Sequence, residues 1–149
     1  MPRNIALTDF CDPRFTDVFM RYFAELGICV RDWEGLWNEM NRSDVSAFLR
    51  LFEERAIGLI QYQAITANSA FFEERLGFVR ELWVDPASRG KGHGGALLEA
   101  AEAACRAQGI TRMILTTDTA EAFYLRHGYR ARPDILAKNR LPVYEKLLT

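Results

Sequence analysis

Apolar residues along this chain follow first a helical and then a strand-like rhythm. Phe15, Val18, Phe19, Tyr22, Phe23 and Leu26 recur at spacings of three, one, three, one and three, which draws one stripe down a helix. Asp12-Pro13 ahead of it supplies an N-cap and a proline at the first helical position, and Gly27 suits the C-terminus. Trp33, Leu36, Trp37 and Met40 mark a second, shorter helix, and IALTDF before both reads as a short strand. The period then changes. AFLRLFE, AIGLIQYQAIT and LGFVRELWV are rich in branched and aromatic residues and are separated by EER and ANSA, which predicts three consecutive strands, most simply an antiparallel meander.

After the stretch SRGKGHGG (88–95) the helical period returns in ALLEAAEAACRAQ, with Leu97, Ala100, Ala101 and Ala104 on one face, Glu99, Glu102 and Arg106 on another, and Gly109 at the end. RMILTT reads as a buried strand. Asp118 and Glu121 have capping-box spacing and predict a short helix, AEAFYLRH, stopped by Gly128. YRAR and LPVYEKLL suggest a final strand pair. The expected fold is a single domain over residues 1–149, α/β of the α+β type, with a mixed central sheet of about seven strands flanked by about four helices.

Charge narrows the function. Nineteen Lys and Arg against 20 Asp and Glu leave no basic excess for a nucleic-acid backbone, so no nucleic-acid partner is expected. Cys11, Cys29 and Cys105 show no Cys-x-x-Cys spacing, and no charged-then-apolar leader opens the chain, which points to a cytoplasmic protein without disulfides. No apolar run reaches the roughly 20 residues of a membrane helix, so no membrane partner is expected either. His93 and His127 are the only histidines, and no His, Cys, Asp or Glu cluster has metal-ligand spacing; no metal is expected.

The turn between the RELWV strand and the following helix carries the most chemistry. Glycines let backbone N–H groups approach a ligand at a helix N-terminus, where the peptide dipoles favour an anion, above all a phosphate. A P-loop needs a hydroxyl directly after its lysine, and Lys91 is followed by Gly92. Gly90, Gly92 and Gly95 match the dinucleotide fingerprint G-x-G-x-x-G, with Asp118 near the ribose-binding position. Against that reading, Asp85-Pro86-Ala87-Ser88-Arg89 separates the strand from the first glycine, and the preceding strands look antiparallel.

The whole run ELWVDPASRGKGHGGALL resembles the acyl-CoA pyrophosphate site of the GNAT superfamily of N-acetyltransferases: a strand ending in Val-x-Pro, then Arg89, Gly92 and Gly94 at the motif's spaced positions. A second motif of that family is similar to AEAFYLRHGY, with Phe123-Tyr124 followed by Gly128-Tyr129. Together the two span roughly 78–130, and the upstream element order also resembles the family. Two positions depart from its pattern: His93 replaces a small or branched residue, and Thr117 stands where an Asn that binds the pantetheine arm is common.

The resemblance implies acetyl-CoA as donor and direct acyl transfer to a primary amine through a tetrahedral intermediate. It assigns the pyrophosphate to Arg89, with Lys91 as a further cation, and to the turn Gly90, Gly92, His93, Gly94 and Gly95. It assigns the pantetheine arm to Leu82, Trp83, Val84, Thr117, Phe123 and Tyr124, where the first three splay from the neighbouring strand. It makes Tyr124 the acid that protonates the CoA thiolate, and Glu81 the base that takes the amine proton directly or through water. For the acceptor, a small-molecule amine of unidentified class, it points to Tyr22, Asp32, Trp33 and Glu34, with Lys138 and Arg140 from the final strand pair. Trp33 and Trp37 share a face with Leu36 and Met40, so core packing is an equal reading, and Asp32 can simply cap its helix. A non-catalytic acyl-CoA sensor or scaffold is the alternative from another class. Dimerisation is common among relatives; no residue here decides it.

Overall fold

The computed structural model describes residues 1–68 and 70–149. In chain order the elements are β1 (Arg3–Ala6), α1 (Pro13–Leu26), α2 (Trp33–Arg42), β2 (Ser46–Phe52), β3 (Arg55–Asn68), β4 (Glu73–Val84), α3 (His93–Ala107), β5 (Arg112–Thr116), α4 (Glu121–Arg126), β6 (Arg130–Ala131) and β7 (Val143–Leu147). They form one seven-stranded mixed sheet in the order β1-β2-β3-β4-β5-β7-β6, with four α-helices. Among the described residues only β4 and β5 run parallel; the other five neighbouring pairs are antiparallel. A doubly wound sheet of the dinucleotide-binding kind is therefore absent, and the G-x-G-x-x-G match is coincidental.

The stripe on α1 buries Phe15, Val18 and Phe19. Asp12 caps it by accepting from the Arg14 N–H at 2.9 Å, and Gly27 closes it in the left-handed conformation at φ 72°. With α2 it covers one face of the sheet, packing Trp37, Leu49, Leu51, Leu59 and Trp83. The other face is covered by α3 and α4, whose Leu97, Leu98 and Tyr124 share a core with Ile60, Tyr62, Val79, Met113 and Leu115 of the sheet.

Four local expectations are corrected. The first strand begins earlier than IALTDF and ends at Ala6, because Asp9 turns the chain by accepting from the Cys11 N–H at 2.8 Å. β3 runs through Ala67 and Asn68 of the ANSA separator, and Ser69 lies outside the described residues. Asp118 does not cap α4: the helix starts at Glu121, and the Thr117 hydroxyl accepts from the Ala120 N–H at 3.1 Å. Glu102 does not face solvent: it is 4% exposed, takes a hydrogen bond from the Tyr129 hydroxyl at 2.8 Å and pairs with Lys146 at 2.9 Å. A carboxylate at a helical core position is tolerated only with such partners.

β4 is irregular in two places. Its register with β3 runs Tyr62↔Val79 and then Gln61↔Glu81, so Arg80 is an extra residue, a bulge. Its ladder with β5 consists of only Gly77↔Met113 and Phe78↔Ile114. Past Phe78 the two strands part, leaving the β5-facing backbone edge of β4 without a strand partner.

Candidate active site

The gap between β4 and β5 opens into a cleft of about 1000 Å³, lined by the end of β4, the glycine turn, the first turn of α3 and one side of α4. Leu82, Trp83, Val84, Arg89, Gly90, Gly92, His93, Gly94, Gly95, Phe123 and Tyr124 all line it. Lys91 is exposed and Thr117 is buried, and neither is among its lining residues.

Backbone conformation explains the turn's composition. Gly90 and Gly92 sit at φ 78° and 85°, a region that costs other L-residues roughly 1–2 kcal/mol. Gly92 is also the N-cap of α3 and offers no side chain to the first turn, so the N–H groups of that turn have no side-chain cap. Gly94 and Gly95 serve packing instead. A Cβ on Gly94 would lie 3.3 Å from Phe123 Cε1, and one on Gly95 only 2.6 Å from His127 Cε1, so these glycines let α4 close against α3.

The polar side chains Arg89, Glu25, His93 and Arg50 around the turn are already engaged. The Arg89 guanidinium donates to the Val84 carbonyl at 2.9 Å and to Glu25 Oε1 at 2.6 Å, the same oxygen that accepts from the Trp83 indole at 2.9 Å. Glu25 was not foreseen from the sequence: it is a polar residue on the outer side of α1, indistinguishable there from any solvated glutamate. His93 turns toward the sheet, where its Nδ1 accepts from Arg50 Nε at 3.1 Å. Burial, followed by the charges of Arg50 and Lys91, holds this imidazole below its usual pKa, and the Nδ1 acceptor fixes the proton on Nε2. Arg50 in turn bonds Asn4, whose amide reaches the Ala96 carbonyl at 3.0 Å, so β1 and β2 anchor the start of α3.

Three titratable groups from three elements stand close enough to influence one another; Tyr124 lines the cleft, and Tyr22 and Glu81 are not among its lining residues. The Tyr22 hydroxyl of α1 donates to Glu81 of β4. Burial holds Glu81 above the usual carboxylate range, against the Tyr22 hydrogen bond and the Arg80 charge, which lower it. Tyr124 of α4 is 7% exposed, and burial first, then the Glu81 charge, pushes it up to about 12. Tyr22 is pushed up as well, by burial and by Glu81.

Of the residues expected on the acceptor side, only Tyr22 reaches this point. Asp32 caps α2, accepting from the Gly35 N–H at 2.9 Å. Trp33 stacks on Trp37 at 5.2 Å between ring centroids, and Glu34 is exposed on the first turn of α2. Among the described residues no group of three His, Cys, Asp or Glu could hold a metal ion, and no helix is long and apolar enough to cross a membrane.

Comparisons with known proteins agree with this geometry. The sequence profile described as the acetyltransferase (GNAT) family matches residues 6–129. An uncharacterized protein of Bacillus subtilis (strain 168), YxbD, is 34% identical over 116 residues, 64% of this chain and 67% of that protein. Among solved structures, a GNAT-family acetyltransferase of Staphylococcus aureus Mu50 superposes with a TM-score of 0.74 at 17% identity over 100% of both chains. A protein of Clostridium acetobutylicum crystallised with acetyl-CoA gives 0.76 at 16% identity, over 92% of this chain and 95% of that one. The paia N-acetyltransferase of Thermoplasma acidophilum, in complex with coenzyme A, gives 0.68 at 18%, over 97% and 99%. At these identities the structural matches speak to the fold.

Proposed function

The chain belongs to the acetyltransferase (GNAT) family, and from that premise we propose that it moves an acetyl group from acetyl-CoA to a primary amine of a small molecule. The observation that carries the proposal is the continuity of the cleft: it runs from the positive-φ glycine turn, along the unpaired edge of β4, to the Tyr124 side chain.

The residues present fit acetyl-CoA. Uncapped N–H groups at the start of α3 suit a pyrophosphate, and Arg89 can exchange Glu25 for a more highly charged anion. The backbone edge at Leu82, Trp83 and Val84 offers amide partners to a pantetheine arm. A backbone N–H on that edge can also stabilise charge developing on a thioester oxygen. Once bound, acetyl-CoA supplies an activated acyl group; the chain supplies positioning and two proton movements.

Glu81 is the base. Tyr22 and Arg80 favour its ionised form, so it can accept the ammonium proton directly or through one water. Tyr124 is the acid: at about 12 it keeps its proton at neutral pH and can give it to the departing thiolate sulfur. The two are coupled. When Glu81 takes a proton it loses the charge that helps to raise Tyr124, and the phenol then gives up its proton more readily.

A direct test is the thermal unfolding midpoint with acetyl-CoA, coenzyme A and NAD. A ligand at 100 times its dissociation constant stabilises by about 2.7 kcal/mol. Stabilisation by the two CoA compounds and not by NAD is the expected result; stabilisation by NAD alone would overturn the reading.

A further inference from the structure

In a regular strand, consecutive side chains point to opposite faces of the sheet. The bulge in β4 breaks that rule: Arg80 and Glu81 both reach the face covered by α1 and α2. Glu81 meets Tyr22 there, and Arg80 Nη1 donates to Gln63 Oε1 at 2.7 Å, while Gln63 is held by Asp44 at 2.9 Å. Gln63 lies opposite Phe78 in the β3–β4 register, so the guanidinium is drawn back toward Phe78. Among the described residues Arg80 has no ion pair, and most of its five N–H donors remain for another acceptor. A carboxylate base and a free guanidinium are thus adjacent in the chain and on one face.

On this face, where β4 and β5 begin to part, lies a second cleft of about 320 Å³. Its floor is apolar, from Ile65, Phe78, Ile114 and Val143, and among the described residues Lys138 is the one charged residue that lines it. The wall formed by residues 135–139 is held firmly. Asn139 donates to the Thr116 hydroxyl at 3.0 Å, and the Ile135 N–H donates at 3.1 Å to the carbonyl of Arg132, whose guanidinium bonds the buried Glu145 of β7.

We propose that the acceptor is a hydrophobic α-amino acid, with its ammonium toward Glu81, its carboxylate on Arg80 and its side chain over Ile65, Phe78 and Ile114. The assignment rests on the acetyltransferase reading given above. The chemistry of both clefts points the same way. An acceptor carrying several ammonium groups would meet Arg80 and Lys138 and find no carboxylate in the apolar cleft. An amine without a carboxylate leaves Arg80 unused, and a large polar acceptor leaves the apolar floor unused.

Two measurements test this. In the first, protein with ¹³C-labelled isoleucine methyl groups is titrated with L-phenylalanine, phenethylamine and spermidine, each to about 10 mM, above the usual KM range. L-Phenylalanine should move the Ile65 and Ile114 signals and spermidine should not. The absence of a shift with L-phenylalanine overturns the assignment whether or not the protein is an active enzyme. In the second, CoA release is compared for the same three amines. L-Phenylalanine should exceed phenethylamine by about tenfold in kcat/KM, the worth of one charge-assisted contact, and Arg80→Gln should abolish that ratio. Equal rates for the two amines in wild type, or a preference for spermidine, overturns it. Methyl shifts with L-phenylalanine but no CoA release would uphold the amino-acid site and refute the acetyltransferase reading.

Discussion

The Tyr22 hydroxyl of the first helix donates a hydrogen bond to the Glu81 carboxylate of the fourth strand, 59 residues away in sequence. The sign of its effect is definite. Burial raises Glu81, and this hydrogen bond lowers it toward the ionised form that a base requires. If Glu81 must be ionised, kcat/KM rises with pH through the Glu81 titration. Tyr22→Phe should move that limb to higher pH, and the pH profile of CoA release checks it. An unmoved limb would mean that another group takes the amine proton.

The same raised pKa links to stability. A carboxyl whose folded value exceeds its unfolded one contributes stability that is fully present below the unfolded value and is lost as pH rises through the folded value. Glu81→Gln should therefore flatten that part of the stability curve and gain stability near neutral pH, while abolishing turnover. Denaturant melts across the acidic-to-neutral range would read this; an unchanged curve contradicts it.

Tyr124 is buried and pushed up to about 12. Replacing it with Phe removes the proton for the thiolate and should lower kcat by roughly 10²-fold or more, the usual worth of a positioned acid. Acetyl-CoA should still raise the unfolding midpoint of this variant. A wild-type rate of CoA release in Tyr124→Phe would remove it from the chemistry.

Gly95 permits the contact between α3 and α4, since an added Cβ would stand 2.6 Å from His127 Cε1. Gly95→Ala should cost about 1–3 kcal/mol by overpacking and weaken acetyl-CoA binding as the cleft wall shifts. Adding His127→Ala should restore part of both. If the second change brings no recovery, the clash is not the cause.

Arg89 is held by Glu25 at 2.6 Å. If the pyrophosphate takes Arg89 from this carboxylate, Arg89→Ala weakens acetyl-CoA affinity, whereas Glu25→Ala preserves or tightens it. Both side chains are partly exposed, so changes of about 1 kcal/mol or less are expected, within reach of calorimetric titration. Weaker binding in both variants would instead mark the pair as a brace for the turn.

Much of this was legible in the sequence, for local reasons. The α1 stripe with its Asp12-Pro13 start and Gly27 stop, and the three-strand meander, are written in short-range periodicity, and glycines at 90 and 92 announce backbone that other residues resist. The failures are tertiary. Asp118 and Glu121 have the spacing of a cap, yet no side chain caps α4, and the chain leaving β5 instead puts the Thr117 hydroxyl on the Ala120 N–H just ahead of the helix. Glu102 looked solvated until Tyr129 and Lys146, distant in sequence, supplied its partners. Nothing in RLGFVREL marks Arg80 as a bulge; that follows from its pairing with β3. The aromatic and acidic residues at 32–34 suggested an acceptor site, but they cap and pack α2.

The most direct measurement of the central claim is amine-dependent release of CoA thiol from acetyl-CoA by the wild-type protein, across primary amines that include hydrophobic amino acids. Release that requires an amine and yields the N-acetylated product is the expected result. A protein stabilised by acetyl-CoA that releases no thiol with any amine would contradict it, and would make the cleft that of a binding protein rather than an enzyme.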